Sequence, residues 1–178
     1  MTSALSRLAA TLLLVFVTTG CATSKAKRGP TAKAPAVKKQ MTVRTTAYTH
    51  TEKGGSKNAI GTRLRFGGKE YSAASDWSWL PLGTRFRIAG KPTVYIIEDY
   101  GSALVGRETI DLYMPTRSQM RAWGVKHVPI EIIEWGSKAM SLKVLAPRSR
   151  NRHVARMCAS LRSQGVKPPP PKVRLAAN

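Results

Sequence analysis

From Thr42 to Trp135 apolar residues fall in short alternating runs broken by glycine and proline. That spacing predicts strands at Thr42–Thr49, Arg63–Phe66, Arg85–Ile88, Val94–Glu98, Thr109–Met114 and Val128–Trp135. Gly54-Gly55, Gly67-Gly68, Gly90 with Pro92, and the loop Gly101 to Gly106 supply the turns. One helix signal interrupts them: Thr116 can cap Arg117–Trp123, Gly124 can stop it, and Met120 and Trp123 share a face. Six short strands with one or two small helices predict an all-β, closed-barrel fold. Beyond the block, Ser141–Ala146 reads as one further strand. Ser149 to Gln164 reads as a helix with Val154, Met157, Cys158 and Leu161 on one stripe, and Pro168–Pro171 as a stiff extended segment.

The N-terminal pattern is different. Arg7 precedes the apolar run Leu8 to Val17, which has the length of a signal-peptide core and is too short to span a bilayer. Thr18-Thr19-Gly20-Cys21 follows, with a small residue directly before the cysteine, and resembles the lipobox of bacterial lipoproteins. Acylation of Cys21 and cleavage after Ser24 are the two outcomes this junction allows. The expected organisation is a signal peptide at 1–21, a Lys/Ala/Pro-rich linker at 22–40, a barrel at 41–136 and a basic extension at 137–178.

Charge sharpens that division. The 178 residues carry +21, yet residues 41–135 hold 13 basic against all nine acidic side chains. The excess sits in the linker, with six Lys/Arg, and in the segment after Trp135, with ten. Such tails favour anionic surfaces and say little about fold. Arg148, Arg150, Arg152, Arg156 and Arg162 surround the stripe of the C-terminal helix. That helix either touches a membrane or wall polymer, or packs on the barrel with a solvated basic face. Deleting 149–178 is expected to weaken binding to anionic surfaces and leave the barrel folded. Two cysteines, Cys21 and Cys158, exclude a disulfide-stapled scaffold, and His50, His127 and His153 lie at no local metal-ligand spacing. No metal or other cofactor is expected.

Several ordered motifs then point to a family. Thr46-Ala47-Tyr48-Thr49, Ile60-Gly61-Thr62, Ala73-Ala74-Ser75-Asp76, Leu80-Pro81-Leu82-Gly83-Thr84, Glu98-Asp99-Tyr100-Gly101-Ser102-Ala103, Ile110-Asp111-Leu112-Tyr113 and the closing Trp123 to Ile133 run together resemble the 3D (three-aspartate) domain. The resemblance spans roughly 43–135. It implies a six-stranded double-psi β-barrel, as in membrane-bound lytic transglycosylase A and small wall-remodelling proteins of bacteria. It also implies cleavage of the MurNAc–GlcNAc bond of peptidoglycan with a 1,6-anhydro product. Carried over residue by residue, Asp111 is the acid/base, Asp99 its hydrogen-bonding partner and Asp76 a supporting or sugar-binding group. Tyr48, Thr62, Trp77, Tyr100 and Gly101 belong to the substrate side. The chain departs from the pattern at Tyr100, where the family often has Thr, and at Ser102, where it often has Gly.

The carboxylates support the chemistry independently. Cleaving a glycosidic bond needs a proton on the leaving oxygen and stabilisation of an oxocarbenium-like state. When the C6 hydroxyl of the sugar is the nucleophile, one carboxyl can give the first proton and take the second, provided a neighbour or desolvation raises its pKa. Asp99 and Asp111 end or occupy apolar strand candidates joined by a glycine-bounded loop, which can bring them together. Each has a plainer reading too: Asp76 as a helix cap, Asp99 as a turn former, Asp111 as a surface residue of a strand. Trp77, Trp79 and Tyr100 can stack on sugar rings, with Trp79 better placed as core or lid; Trp123 and Trp135 read as core, and His50 as a loop residue.

The expected function is a peptidoglycan lytic transglycosylase of the cell envelope, lipid-anchored in the outer membrane facing the periplasm, or secreted or periplasmic if Cys21 is not acylated. Its partners are glycan strands, the membrane through the anchor, and anionic surfaces through the tails. A non-catalytic wall-binding lipoprotein of the same fold is the alternative. Nucleic acid, suggested by charge alone, is disfavoured by export and by the lack of aromatic-basic alternation on the strands.

Overall fold

In a computed structural model the described residues are 40–51 and 55–169. The expected signal peptide, Cys21, the linker up to Lys39, and Pro170–Pro171 lie outside them. Six strands form a closed barrel: β1 (Gln40–Tyr48), β2 (Glu70–Ala74), β3 (Arg85–Ile88), β4 (Val94–Asp99), β5 (Thr109–Tyr113) and β6 (Lys126–Glu134). Around the barrel the order is β1-β5-β2-β4-β3-β6. The pairs β1/β5 and β2/β4 are parallel and the other four antiparallel. This is the double-psi β-barrel expected from the sequence. Closure leaves no free strand edge.

Alternation along the strands decides what fills the interior. On β1 Val43 and Thr45 are buried while Arg44 and Thr46 are not, and on β5 the wholly buried Ile110 and Leu112 bracket Asp111. Phe86, Ile97, Ile130 and Ala73 complete the centre, with Phe86 stacked on Tyr95 at 5.3 Å. Ion pairs ring the outside, Arg85 to Glu70 and Glu134, Arg65 to Glu70, and Arg87 to Glu131, while Arg65 also reaches in to the buried Glu98.

Two expected strands are corrected. Arg63–Phe66 is not a strand; it makes one isolated bridge, Lys57 to Arg63, and runs beside β2 through reciprocal Arg65 and Ser72 hydrogen bonds. The strand is instead Glu70–Ala74, whose serine and alanines have low β-propensity but fit a narrow barrel: Ser72 and Ala73 are completely buried. Ser141–Ala146 is likewise not a strand. Ser137 caps α2 (Lys138–Leu145) by accepting from the Met140 N–H at 3.1 Å, and Leu142 and Leu145 turn inward at helical spacing. Trp135 is half exposed at 49%, against its expected place in the core, because it lies past the last alternating residue of β6.

The extension belongs to the same folded body as the barrel. After Glu134 the chain crosses the 81–84 turn so closely that a Cβ on Gly136 would lie 2.3 Å from the Leu82 carbonyl oxygen. Only glycine fits there, and its N–H donates to Thr84 Oγ1 at 3.0 Å. Leu82 N–H in turn donates to Ser141 Oγ on α2. A short turn (Ala146–Arg148) leads to α3 (Arg152–Ser163), which buries Val154, Met157, Cys158 and Leu161 in the core that the barrel shares. Packing on the barrel, with the arginines outside, is thus the arrangement found. α1 (Arg117–Trp123) is capped by Thr116 and stopped by Gly124 as expected.

Candidate active site

The register of the barrel sets four residues in one row. Thr46 on β1 faces Asp111 on β5, Asp111 faces Ala74 on β2, and Ala74 faces Asp99 at the end of β4. The two aspartates are therefore two strand spacings apart, roughly 9–10 Å between Cα atoms, with only an alanine side chain between them. Both open on a cleft of about 380 Å³ that is also lined by Tyr48, Thr49, Lys57, Asn58, Ala59, Tyr100, Gly101 and Leu104. A small residue at Ala74 keeps the floor of that cleft clear.

Each carboxylate is held by hydrogen-bond donors. Asp111 Oδ1 accepts from Thr46 Oγ1 at 2.7 Å. Asp99 Oδ1 accepts from the Tyr100 N–H at 2.9 Å, and Oδ2 accepts from the Tyr48 hydroxyl at 3.4 Å. Burial pushes the Asp99 carboxyl above its ordinary value, against the Tyr100 N–H, Tyr48 and the Ala59 N–H, which all favour its charged form. Desolvation wins over the donors. Burial and then the charges of Asp99 and Asp111 drive the Tyr48 phenol far upward, so it stays protonated and serves as a donor between the two acids. Tyr48 also packs on Tyr113, which meets His50 Nδ1 through its hydroxyl at 3.1 Å. Thr49 is buried on the cleft wall, and its hydroxyl has no hydrogen-bond partner among the described residues.

Five residues expected at the site are brought together: Asp99, Asp111, Tyr48, Tyr100 and Gly101. Three are not. Asp76 is 3% exposed and away from the cleft; Oδ1 accepts from the Ser78 N–H and hydroxyl, and Oδ2 from the Gly106 N–H at 2.7 Å. It caps the Asp76–Leu80 turn and ties down the 101–106 loop, so the capping alternative describes it. Trp77 is wholly buried and cannot stack on a sugar. It supports the site from behind, donating from Nε1 to the Asp99 carbonyl at 2.8 Å and meeting Tyr100 edge-on at 5.0 Å. Thr62 is exposed on the outer side of the wall, where its hydroxyl accepts from Asn58 Nδ2 at 2.6 Å.

Thr46, Lys57 and Asn58 were not singled out by the sequence. Asn58 is buried and accepts from the Ile60 and Thr62 N–H groups, which folds residues 58–62 into the cleft wall. An Asn three residues before a glycine with φ of +84° at Gly61 is the signal that could have found it. A larger cleft, about 740 Å³, lies between Arg63–Glu70, Arg85, Val94 and Ile133. Its sole acidic lining residue, Glu70, pairs with Arg65 and Arg85, whereas the smaller cleft is lined by two aspartates. Among the described residues no three His, Cys, Asp or Glu side chains converge as a metal site needs.

Residues 71–134, which hold Asp76, Asp99 and Asp111, match the family model of the 3D domain. The chain is 36% identical over 96 residues to the Bacillus subtilis (strain 168) protein named "Putative cell wall shaping protein YabE". It is 32% identical over 96 residues to "Cell wall-binding protein YocH" of the same organism. Each alignment covers 53% of this chain, but 23% and 33% of those longer proteins.

Proposed function

Taking the chain as one that carries a 3D domain at residues 71–134, we propose that it acts on the bacterial cell wall as a lytic transglycosylase of peptidoglycan. The observation that carries the reading is the row Thr46–Asp111–Ala74–Asp99 opening on one cleft. The names of the two relatives, one wall-shaping and one wall-binding, support the cell wall as its site of action.

In this reading Asp111 gives its proton to the glycosidic oxygen as the C1–O bond breaks. It then takes the proton of the C6 hydroxyl as that oxygen closes on C1, so no water is consumed. Asp99 is the fixed partner: both of its oxygens already accept from donors, and a second carboxyl opening on the same cleft favours the proton on Asp111. Tyr48 orients Asp99, Thr46 orients Asp111, and Tyr100 offers a partly exposed ring to a sugar face. The exposed Lys57 ammonium at the cleft rim is available to substrate polar groups. The site is in the cell envelope, with Cys21 as the lipid attachment point in the outer membrane.

The name of the wall-binding relative favours a second reading, a binding module of the same fold without turnover. Incubating the protein with isolated sacculi separates the two. Release of soluble muropeptides that falls by about 10²–10⁴ in Asp111→Asn supports the enzyme. Tight binding with no release, unchanged in Asp111→Asn, supports the binding module.

A further inference from the structure

After Glu134 the sequence has ten basic residues and no acidic one. The tail therefore cannot neutralise itself, and the structure brings Arg148 and Arg156 against the loops that wall the cleft. Arg148 Nη1 donates to the Ala59 carbonyl at 2.6 Å, and Ala59 lines the cleft. On α3 the His153 ring is 6.0 Å from that of Tyr100, another lining residue. One turn-length further, the Arg156 guanidinium lies where a Cβ on Gly106 would come within 3.1 Å of it. The two loops that wall the aspartates, 57–62 and 100–106, are thus both touched by the extension.

The ridge is rigid because Val154, Met157, Cys158 and Leu161 anchor its inner face, while Arg148, Arg152 and Arg156 are exposed. Helix stability does not explain the charges. Arg152 and Arg156 repel one another at i, i+4, and the first turn of α3 has no acid to suit its dipole. A guanidinium held in place in this way matches a carboxylate, which it can grip through two parallel N–H bonds.

We infer that Arg148, Arg152 and Arg156 form an anion subsite beside the cleft that takes the carboxylates of the peptide stems on the bound glycan strand. The inference rests on the peptidoglycan reading of the cleft and names which part of that polymer the extension recognises. The extension then selects stem-bearing strands over stripped glycan, whose remaining carboxylates are the lactyl groups on the sugars, and it does so through charge.

The test is titration of the full chain with soluble glycan strands, either bearing their stems or stripped by an amidase that cuts at the lactyl bond. Both are done in an Asp111→Asn background so that strands survive. The expected result is tighter binding of stem-bearing strands, and a loss of roughly five- to fifty-fold for them alone in R148Q/R152Q/R156Q, as a few exposed ion pairs give together. Raised salt should shrink the same difference. Arg152→Glu, at a side chain with no hydrogen bond to the barrel among the described residues, should show the same selectivity if the triple variant folds poorly. Equal affinity of the unsubstituted chain for both strands overturns the subsite, as does an equal loss on both in the variants. Loss of binding to anionic phospholipid vesicles, with stem-bearing strands unaffected, overturns it in favour of a membrane contact. Failure of the unsubstituted chain to bind either strand sinks the peptidoglycan reading itself.

Discussion

Leu161→Ala should destabilise the whole domain, although residue 161 lies far beyond the 3D-domain match. Leu161 is 0% exposed on α3 and shares one cluster with Leu142, Leu145, Met157 and the barrel residues. Truncating a leucine in such a site removes its transfer free energy and leaves a cavity, about 2–5 kcal/mol together. For a domain of this size that lowers the melting temperature by roughly 5–20 °C. The control is Leu112→Ala, a wholly buried residue of β5, which should cost a similar amount. Circular dichroism melts of both variants, followed in the far and near ultraviolet, supply the comparison. Truncation at Ser149 should be worse still, because it strips cover from Leu142 and Leu145 and leaves the chain without a cooperative transition. A Leu161→Ala protein that melts with the parent, while Leu112→Ala falls, would show that α3 is a detachable tail and refute the reasoning.

Other expectations follow from single groups. Asp99→Asn should raise the melting temperature at pH 7, with a gain that narrows as the pH falls toward 4. The folded pKa of Asp99 is raised by burial, so its favourable contribution exists below the unfolded value of 3.8 and is lost as the pH rises through the folded one. Tyr48→Phe removes a donor to the charged form of Asp99, and the acidic limb of the pH–rate profile should move toward neutral; an unmoved limb would free Tyr48 from that role. Asp76→Ala leaves the Ser78 and Gly106 donors unpaired and should cost several kcal/mol in denaturant unfolding, with activity tracking the folded fraction. Gly136→Ala forces a Cβ against backbone at the 81–84 turn and should reduce stability even more than a cavity does. If Cys21 is acylated, processing should be sensitive to globomycin, and a mature N-terminus at Lys25 would contradict it.

Alternation revealed β1, β3, β5 and β6 in the sequence, while β4 showed instead as a continuous apolar run buried on both faces. It failed at β2, where the barrel needs small side chains and Glu-Tyr-Ser-Ala-Ala carries no strand signal. It also failed at α2, where Ser141–Ala146 alternates as a strand would until Ser137 is known to cap a helix. That Asp99 and Asp111 line one cleft was legible from the loop between their strands and from the family pattern. Of the residues that meet them from elsewhere, the family pattern carried Tyr48; Thr46 reaches Asp111 only through the β1/β5 pairing, and Asn58 reaches the cleft only through the 58–62 turn. Trp77 and Asp76 illustrate the reverse case. Next to each other in a family motif, they look functional, yet one pins the Asp99 backbone from inside and the other caps a turn.

The central claim is that the cleft cleaves glycan with the sugar's own hydroxyl as nucleophile. The most direct measurement is the mass of the sugar ends released from sacculi by the purified protein. The account predicts muropeptides lighter by one water than hydrolysis products, with 1,6-anhydro ends, and their loss in Asp111→Asn. Reducing ends would instead make the protein a hydrolase, and no released fragments, with sacculus binding retained, would contradict catalysis altogether.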